Sequence, residues 1–449
     1  MTTDTATATA ADWPIPSDAD IRDLLIERLD RERQGVGAVV GVIDGQGARR
    51  VVAHGALAEG DGLALDGGTV FEIGSITKVF TTLVLADMAR RGEVALDDPV
   101  AQYLPADVIM PKRGGRRIAL IDLATHTSGL PRRPGDIAPA DWANPYADYS
   151  IVQLYAFLGR YRLRRDIGAA HLYSNLGMGL LGHALALRAG GDFETLVRKR
   201  ITAPLGMVDT AMALTPGMRT RLAKGHDAER RPVANWDFDA LAGAGALGST
   251  ANDLLSFLAA ELGRIETPLQ AAMAAQTQPR RAAEGPDERS LGWLISEDGV
   301  GEIIWHGGAT GGYRCFLLFN RARGAGVVML TNCASTRNDD IPFHLLSGRP
   351  LSPPPAPRVA IHLEPELLDR YVGRYRLSPA LELVVSRDGE RLFAQMSRQP
   401  PFEVLAESPT AFFWRLVDAR MTFEVDPDSA VTGVVLHQNG RDVPAARVD

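Results

Sequence analysis

The chain has 449 residues, more than one ordinary hydrophobic core accommodates, so two or three domains are expected. Its 45% hydrophobic and 23% charged residues are those of a soluble globular protein; the net charge is −7 and no basic stripe stands out, which excludes nucleic acid as a partner. No uninterrupted apolar run approaches the roughly 18 residues of a membrane helix, so no membrane partner is expected.

Residues 1–18 read as a disordered leader. The first twenty residues, MTTDTATATAADWPIPSDAD, are polar and acidic and carry no basic segment followed by an apolar one, so a cytoplasmic protein is expected. Residues 20–34 place Ile21, Leu24, Leu25 and Leu29 on one face of an amphipathic helix. GAVVGVIDG and RRVVAHGAL follow as two strands joined by a turn at Asp44–Gly47. From about 70 to 290 the pattern is mostly helical with many Gly/Pro breaks, and from 291 strands return in LGWLIS, EIIWHGG, YRCFLLFN and GAGVVMLTN. One sheet is therefore expected from about 19–70 and 290–346, with a helical insertion over about 71–289: an α/β domain with an all-α insertion, spanning 19–346.

SGRPLSPPPAPR (347–358) reads as a proline-rich linker. Over 359–449, short alternating segments separated by turn signals read as a small antiparallel β-barrel or sandwich. Cys315 and Cys333 fit a reducing compartment as buried apolar fillers, with one disulfide between them as the alternative. No Cys/His cluster has metal-ligand spacing, so neither a metal nor another cofactor is expected.

Three stretches carry chemistry. In FEIGSITKVFTTLVLADMARRG (71–92), Ile76, Val79, Phe80, Leu83 and Val84 recur at helical spacing, so a helix begins near Ser75 and Lys78 shares a face with it. A serine hydroxyl attacks only when a neighbour removes its proton, and a buried lysine does this when its neutral form is accessible. Arginine cannot. Only four of the 48 basic residues are lysines, so Lys78 stands out in a chain that elsewhere uses arginine. Ser75 as a plain helix cap is the competing reading of this stretch. In HLYSNLGMGLLGHAL (171–185), Tyr173 suits a proton relay and Asn175 can orient a lysine or hold a substrate carbonyl; packing and helix capping compete there. In IIWHGGATGGYRCFLLFN (303–320), Gly307 and Gly308 allow a second backbone to approach a strand. His306 there suits a substrate carboxylate or proton transfer. The Ala309 N–H, with that of Ser75, would form an oxyanion hole. An ordinary glycine turn is the alternative.

Taken together, Ser75-Ile-Thr-Lys78, Tyr173-Ser-Asn175 and His306-Gly-Gly308 resemble the three-motif pattern of the serine β-lactamase and penicillin-binding protein superfamily. Tyrosine in the second motif points to its class C branch, with the DD-peptidases and esterases of that type. DLATHTSGLP (122–131), PLGMVDT (204–210), GALGSTANDLLSFL (245–258) and LGW (291–293) resemble the same family, and the likeness spans roughly 20–345. It implies an antiparallel sheet flanked by helices, a helical domain beside it and a cleft between. It implies Ser75 as nucleophile, Lys78 and Tyr173 sharing base and acid work, and Asn175 orienting Lys78 and substrate. The C-terminal region resembles the lipocalin-like module of some D-aminopeptidase relatives.

The third motif departs from the Lys-Thr-Gly usual in such β-lactamases, leaving the cation for a β-lactam carboxylate missing or pH-dependent. The expected function is therefore hydrolysis of a small-molecule ester, amide or peptide through a Ser75 acyl-enzyme, of carboxylesterase or D-amino-acid/DD-peptidase type. Weak β-lactamase action, acyl transfer and a non-enzymatic penicillin-binding sensor are the alternatives. A homo-oligomer is compatible with the sequence. Within 131–150, Trp142, Tyr146 and Tyr149 are candidates for a cleft wall.

Overall fold

Strand Gly37–Ile43 lies between Arg49–Gly55 and Ala325–Thr331, so the two ends of the first unit are joined in one antiparallel sheet. The computed structural model describes residues 13–278, 281–282, 287–299, 301–353, 360–378, 381–396, 401–414, 419–427, 430–438 and 441–448. The chain divides into two compact units, Met1–Ser352 and Pro353–Asp449.

Beyond Ala325–Thr331 the sheet continues through Arg314–Asn320, Gly301–Ala309, Leu294–Asp298, Glu288–Arg289 and Arg281–Ala282. The two central strands are buried along their whole length, which explains their unbroken apolar sequence. Helices cover both faces. On one, Ile21 and Leu25 of helix Asp18–Ile26 and Leu345 and Leu346 of helix Ile341–Ser347 pack on Val40, Val42, Leu318 and Val327. Ser17 and Asp20 start the first of these helices with a reciprocal capping box. On the other face, Leu255 and Leu258 of helix Ala251–Glu261 join Phe80 and Leu83 of helix Thr77–Arg90 in a larger core with Val39, Val328 and Leu330. Burial of this kind contributes about 1.5–3 kcal/mol for each large apolar side chain.

The middle of the unit is less regular than its hydrophobic pattern suggests. Residues 125–150 form neither helix nor strand, and side-chain hydrogen bonds to the main chain fix them instead, such as Ala140 N–H to Asp148 at 2.8 Å. The expected leader also differs. Residues 1–12 lie outside the described residues, but Trp13 packs edge-on against His344 with ring centres 5.2 Å apart, so the chain is held against helix Ile341–Ser347 from that point. Of the expected linker, Ser347 ends a helix and Arg349 bonds Asp298 at 2.7 Å, while 354–358 lie outside the described residues.

The second unit is a closed antiparallel barrel of strands Gly373–Ser378, Leu381–Asp388, Arg391–Met396, Phe402–Ala406, Ala411–Phe413, Ala419–Val425, Val431–Gln438 and Arg441–Arg447. Tyr375 and Arg376 pair with Arg447 and Ala446 to close it. Of the two forms expected from the sequence, barrel and sandwich, the chain takes the barrel. Large side chains fill its interior: Tyr371 stacks on Phe423 at 4.4 Å, and Phe412 meets both. Its centre is thus a packed core.

Candidate active site

The segment before Ser75 is fixed at both ends. Strand Val70–Glu72 pairs with Gly248–Thr250, and helix Thr77–Arg90 begins two residues after Ser75, led in by the tight turn Gly74–Ile76. Gly74 has φ +48°, and a Cβ there would lie 2.7–2.9 Å from the Ala309 main chain. A Cβ on Gly308 would sit 2.0 Å from the Ile73 carbonyl oxygen. No side chain fits either place. These glycines let strand Gly301–Ala309 press against the turn that carries Ser75, bringing the Ala309 main chain beside it.

Ser75 Oγ is held by two proton-carrying groups: Lys78 Nζ at 2.8 Å and the Tyr173 hydroxyl, which donates at 2.7 Å. Lys78 is fully buried and also donates to the Ala244 carbonyl at 2.6 Å. Burial first, and the Arg132 charge second, hold its pKa well below the ordinary lysine value, so the neutral amine is accessible. Burial raises the Tyr173 pKa, while the Ser75 hydrogen bond and the charges of Arg132 and Arg289 pull it down.

Tyr173 is placed by its neighbours. Ser174 caps helix Asn175–Ala189 by accepting from Gly177 N–H, and its hydroxyl donates to Pro131 O at 2.7 Å. The Ser174 N–H donates to His126 Nδ1 at 3.1 Å, and the His126 ring lies 4.6 Å from the Tyr173 ring. Burial keeps His126 neutral by holding its pKa well below the usual histidine range. Asn175 takes a different partner from the one the family likeness implies. Its amide donates to the Tyr146 hydroxyl at 3.0 Å; Ala244, not Asn175, fixes Lys78.

His306 is buried, and its Nδ1 lies 2.7 Å from the Gly307 carbonyl. Burial, then the nearby Lys78 charge, push its pKa down to about 3. The third motif therefore carries a neutral ring at neutral pH. Pairing of its strand with Leu294–Asp298 ends at Trp305, whereas pairing with Arg314–Asn320 runs on to Ala309. The edge of His306–Ala309 is left open to a ligand main chain.

Ser75, Tyr173, Asn175 and His306 through Ala309 all line one cleft of about 540 Å³. Lys78 lies beneath it. Of the three aromatic candidates, Tyr146 lines the cleft, Tyr149 is buried in the core, and exposed Trp142 sits 5.7 Å from the Arg133 guanidinium. The sequence reading missed Arg132, Arg289, Trp236 and the Ala244 carbonyl. Arg132 directly follows DLATHTSGLP, which was its only signal. Among the described residues no acidic, His or Cys cluster has the makings of a metal site, and no helix is long and apolar enough to cross a membrane. Both cysteines are free and buried.

A family model described as β-lactamase matches residues 22–346. The chain belongs to the β-lactamase family. Members of this family are serine hydrolases, and the chain is a class C β-lactamase-like one. It is 29% identical to the D-alanyl-D-alanine-carboxypeptidase/endopeptidase AmpH of Escherichia coli (strain K12), over 71% of this chain and 85% of that one. It is 24% identical to penicillin-binding protein 4* of Bacillus subtilis (strain 168), over 84% of this chain and 88% of the relative. Among solved structures, a β-lactamase/D-alanine carboxypeptidase from Yersinia pestis aligns with a TM-score of 0.64 at 25% identity, over 73% of this chain and 97% of that chain. A class C β-lactamase at 24% identity shares the fold, with a TM-score of 0.65 over 75% of this chain and 97% of that one. Residues 357–446 match a second model, described as a domain of unknown function.

Proposed function

We propose that this serine hydrolase cleaves an ester, or an amide of the D-amino-acid or DD-peptide type, through an acyl-enzyme on Ser75. One observation carries the reading: Ser75 Oγ is shared between a lysine amine and a tyrosine hydroxyl, at 2.8 and 2.7 Å. As Oγ attacks the substrate carbonyl carbon, its proton passes to neutral Lys78. The carbonyl electron pair moves to oxygen, facing the N–H groups of Ser75 and Ala309. Tyr173 protonates the leaving oxygen or nitrogen as that bond breaks, and recovers its proton from the Lys78 ammonium. Water then repeats the sequence in reverse and frees the acid.

The substrate main chain would pair along the open edge of His306–Ala309. The neutral His306 argues against a β-lactam carboxylate as the ligand that strand prefers. The name of AmpH, a D-alanyl-D-alanine carboxypeptidase, supports the peptide arm of the proposal. A purified sample assayed with p-nitrophenyl esters, D-alanyl-D-alanine peptides and nitrocefin tests it. Esters or D-peptides should turn over faster than nitrocefin, and Ser75→Ala should abolish turnover and fluorophosphonate labelling. Labelling that survives in Ser75→Ala would overturn the assignment.

A further inference from the structure

The third motif supplies no cation, yet three arginines, Arg132, Arg289 and Arg314, line the cleft, and Arg132 lies over the Tyr173 ring. The Arg132 guanidinium carbon lies 5.0 Å from the centre of the Tyr173 ring, and Lys78 Nζ lies 4.9 Å from the same centre. Arg132 lines the cleft, and among the described residues its side chain has no ion-pair partner. Its position is fixed through its main chain. The Arg132 carbonyl accepts from Asn175 N–H at 2.8 Å and from Leu176 N–H at 3.3 Å, at the start of the helix that follows Tyr173. The adjacent Pro131 carbonyl accepts from Ser174 Oγ. The loop bearing Arg132 and the turn bearing Tyr173 are therefore tied together through their main chains, which keeps the base of the Arg132 side chain beside the ring.

We propose that Arg132 is a positioning residue whose guanidinium, lying over the Tyr173 ring, supplies the permanent positive charge that His306 does not, and so readies Lys78 to take the Ser75 proton and Tyr173 to pass one to the leaving group. This rests on the acyl-enzyme reading above. A guanidinium keeps its charge throughout the working pH range. Beside an amine it disfavours the ammonium, and beside a phenol it favours the phenolate. The first effect makes Lys78 available as a base at lower pH, and the second makes Tyr173 a readier proton donor. Among the described residues, the other charged or titratable groups facing the pair are His126, His171, Arg289 and His306. Burial holds His126 and His306 neutral. Arg289 acts on Tyr173 alone of the two, whereas Arg132 acts on both. Because Arg132 is exposed, water screens it, and the expected effect is a shift of about one pH unit.

The test is the rate at which an uncharged fluorophosphonate labels Ser75, followed by intact mass from pH 5 to 10. Arg132→Gln should move the midpoint of the rate up by about one unit, making labelling about tenfold slower on the acidic side and leaving it unchanged at high pH. Arg132→Lys should restore the wild-type midpoint. Raising salt from low to molar ionic strength should shift the wild-type midpoint upward and leave that of Arg132→Gln in place, a comparison that also holds if the variant is less stable. With p-nitrophenyl acetate at neutral pH, kcat should fall and KM stay within about twofold. An unmoved midpoint in Arg132→Gln overturns the inference. So does a variant that raises only KM for a D-alanyl-D-alanine peptide, since Arg132 would then be a carboxylate clamp. Wild-type protein that is never labelled at Ser75 brings down the acyl-enzyme reading itself, and this inference with it.

Discussion

The two units are both built on eight antiparallel strands, and they treat strand edges in opposite ways. The barrel pairs its first strand with its last and fills the interior with Tyr371, Phe412 and Phe423. The sheet of the first unit stops pairing at Trp305 and leaves His306–Ala309 with an open edge beside Ser75. Closure protects polar main-chain groups from stray partners, while an open edge in a cleft invites one chosen partner. Gly308 is needed because the Ile73 carbonyl already occupies the space of a side chain.

The sharpest way to break this comparison is Gly308→Val. It forces the open-edge strand off the Ser75 turn, so Ser75 labelling should fall by about 10³-fold or more, measured as the second-order rate with a fluorophosphonate. A valine variant that labels normally would show that the close approach is incidental. Tyr173→Phe leaves the edge intact and removes one proton carrier, so kcat should drop by about 10²–10⁴-fold with KM little changed. On the closed side, Phe412→Ala opens a hole among stacked rings and should cost about 3–5 kcal/mol, read as faster hydrogen exchange in the barrel strands. A barrel that tolerates it would not be a packed core.

The smallest effect concerns Glu261, on the helix behind the sheet. Burial raises its pKa to about 7, although Arg321 lies 3.1 Å away and lowers it. A carboxyl whose folded pKa is raised favours the folded state when protonated. Its contribution is complete below the ordinary value of 4.5 and is lost as pH rises through about 7. Glu261→Gln should therefore raise the melting temperature more at pH 8 than at pH 5. An equal gain at both would place the effect elsewhere.

Much of the site was legible because its parts are local or ordered along the chain. Ser75 and Lys78 lie one helical turn apart, so sequence spacing alone puts them together. Tyr173 and His306 were readable as motifs, but their meeting with Ser75 is a long-range event. Asn175 was expected to orient Lys78 and instead meets Tyr146, because the Ala244 carbonyl already holds the amine. Nothing about an alanine advertises a main-chain acceptor. Arg132 was hard to read for a similar reason: in a chain with many arginines its place after DLATHTSGLP is a slight signal, and its distance from the Tyr173 ring is what distinguishes it.

By itself, then, the sequence determined the elements and the chemistry available. Hydrophobic periodicity set the helices and buried strands, and residue type set which groups can attack, carry a proton or keep a charge. The tertiary structure alone decided the protonation states and brought Arg132 to the Tyr173 ring. Those depend on burial and on distances between segments more than two hundred residues apart, such as Lys78 and His306. Composition cannot encode them, because desolvation and Coulomb interaction act through space rather than along the chain.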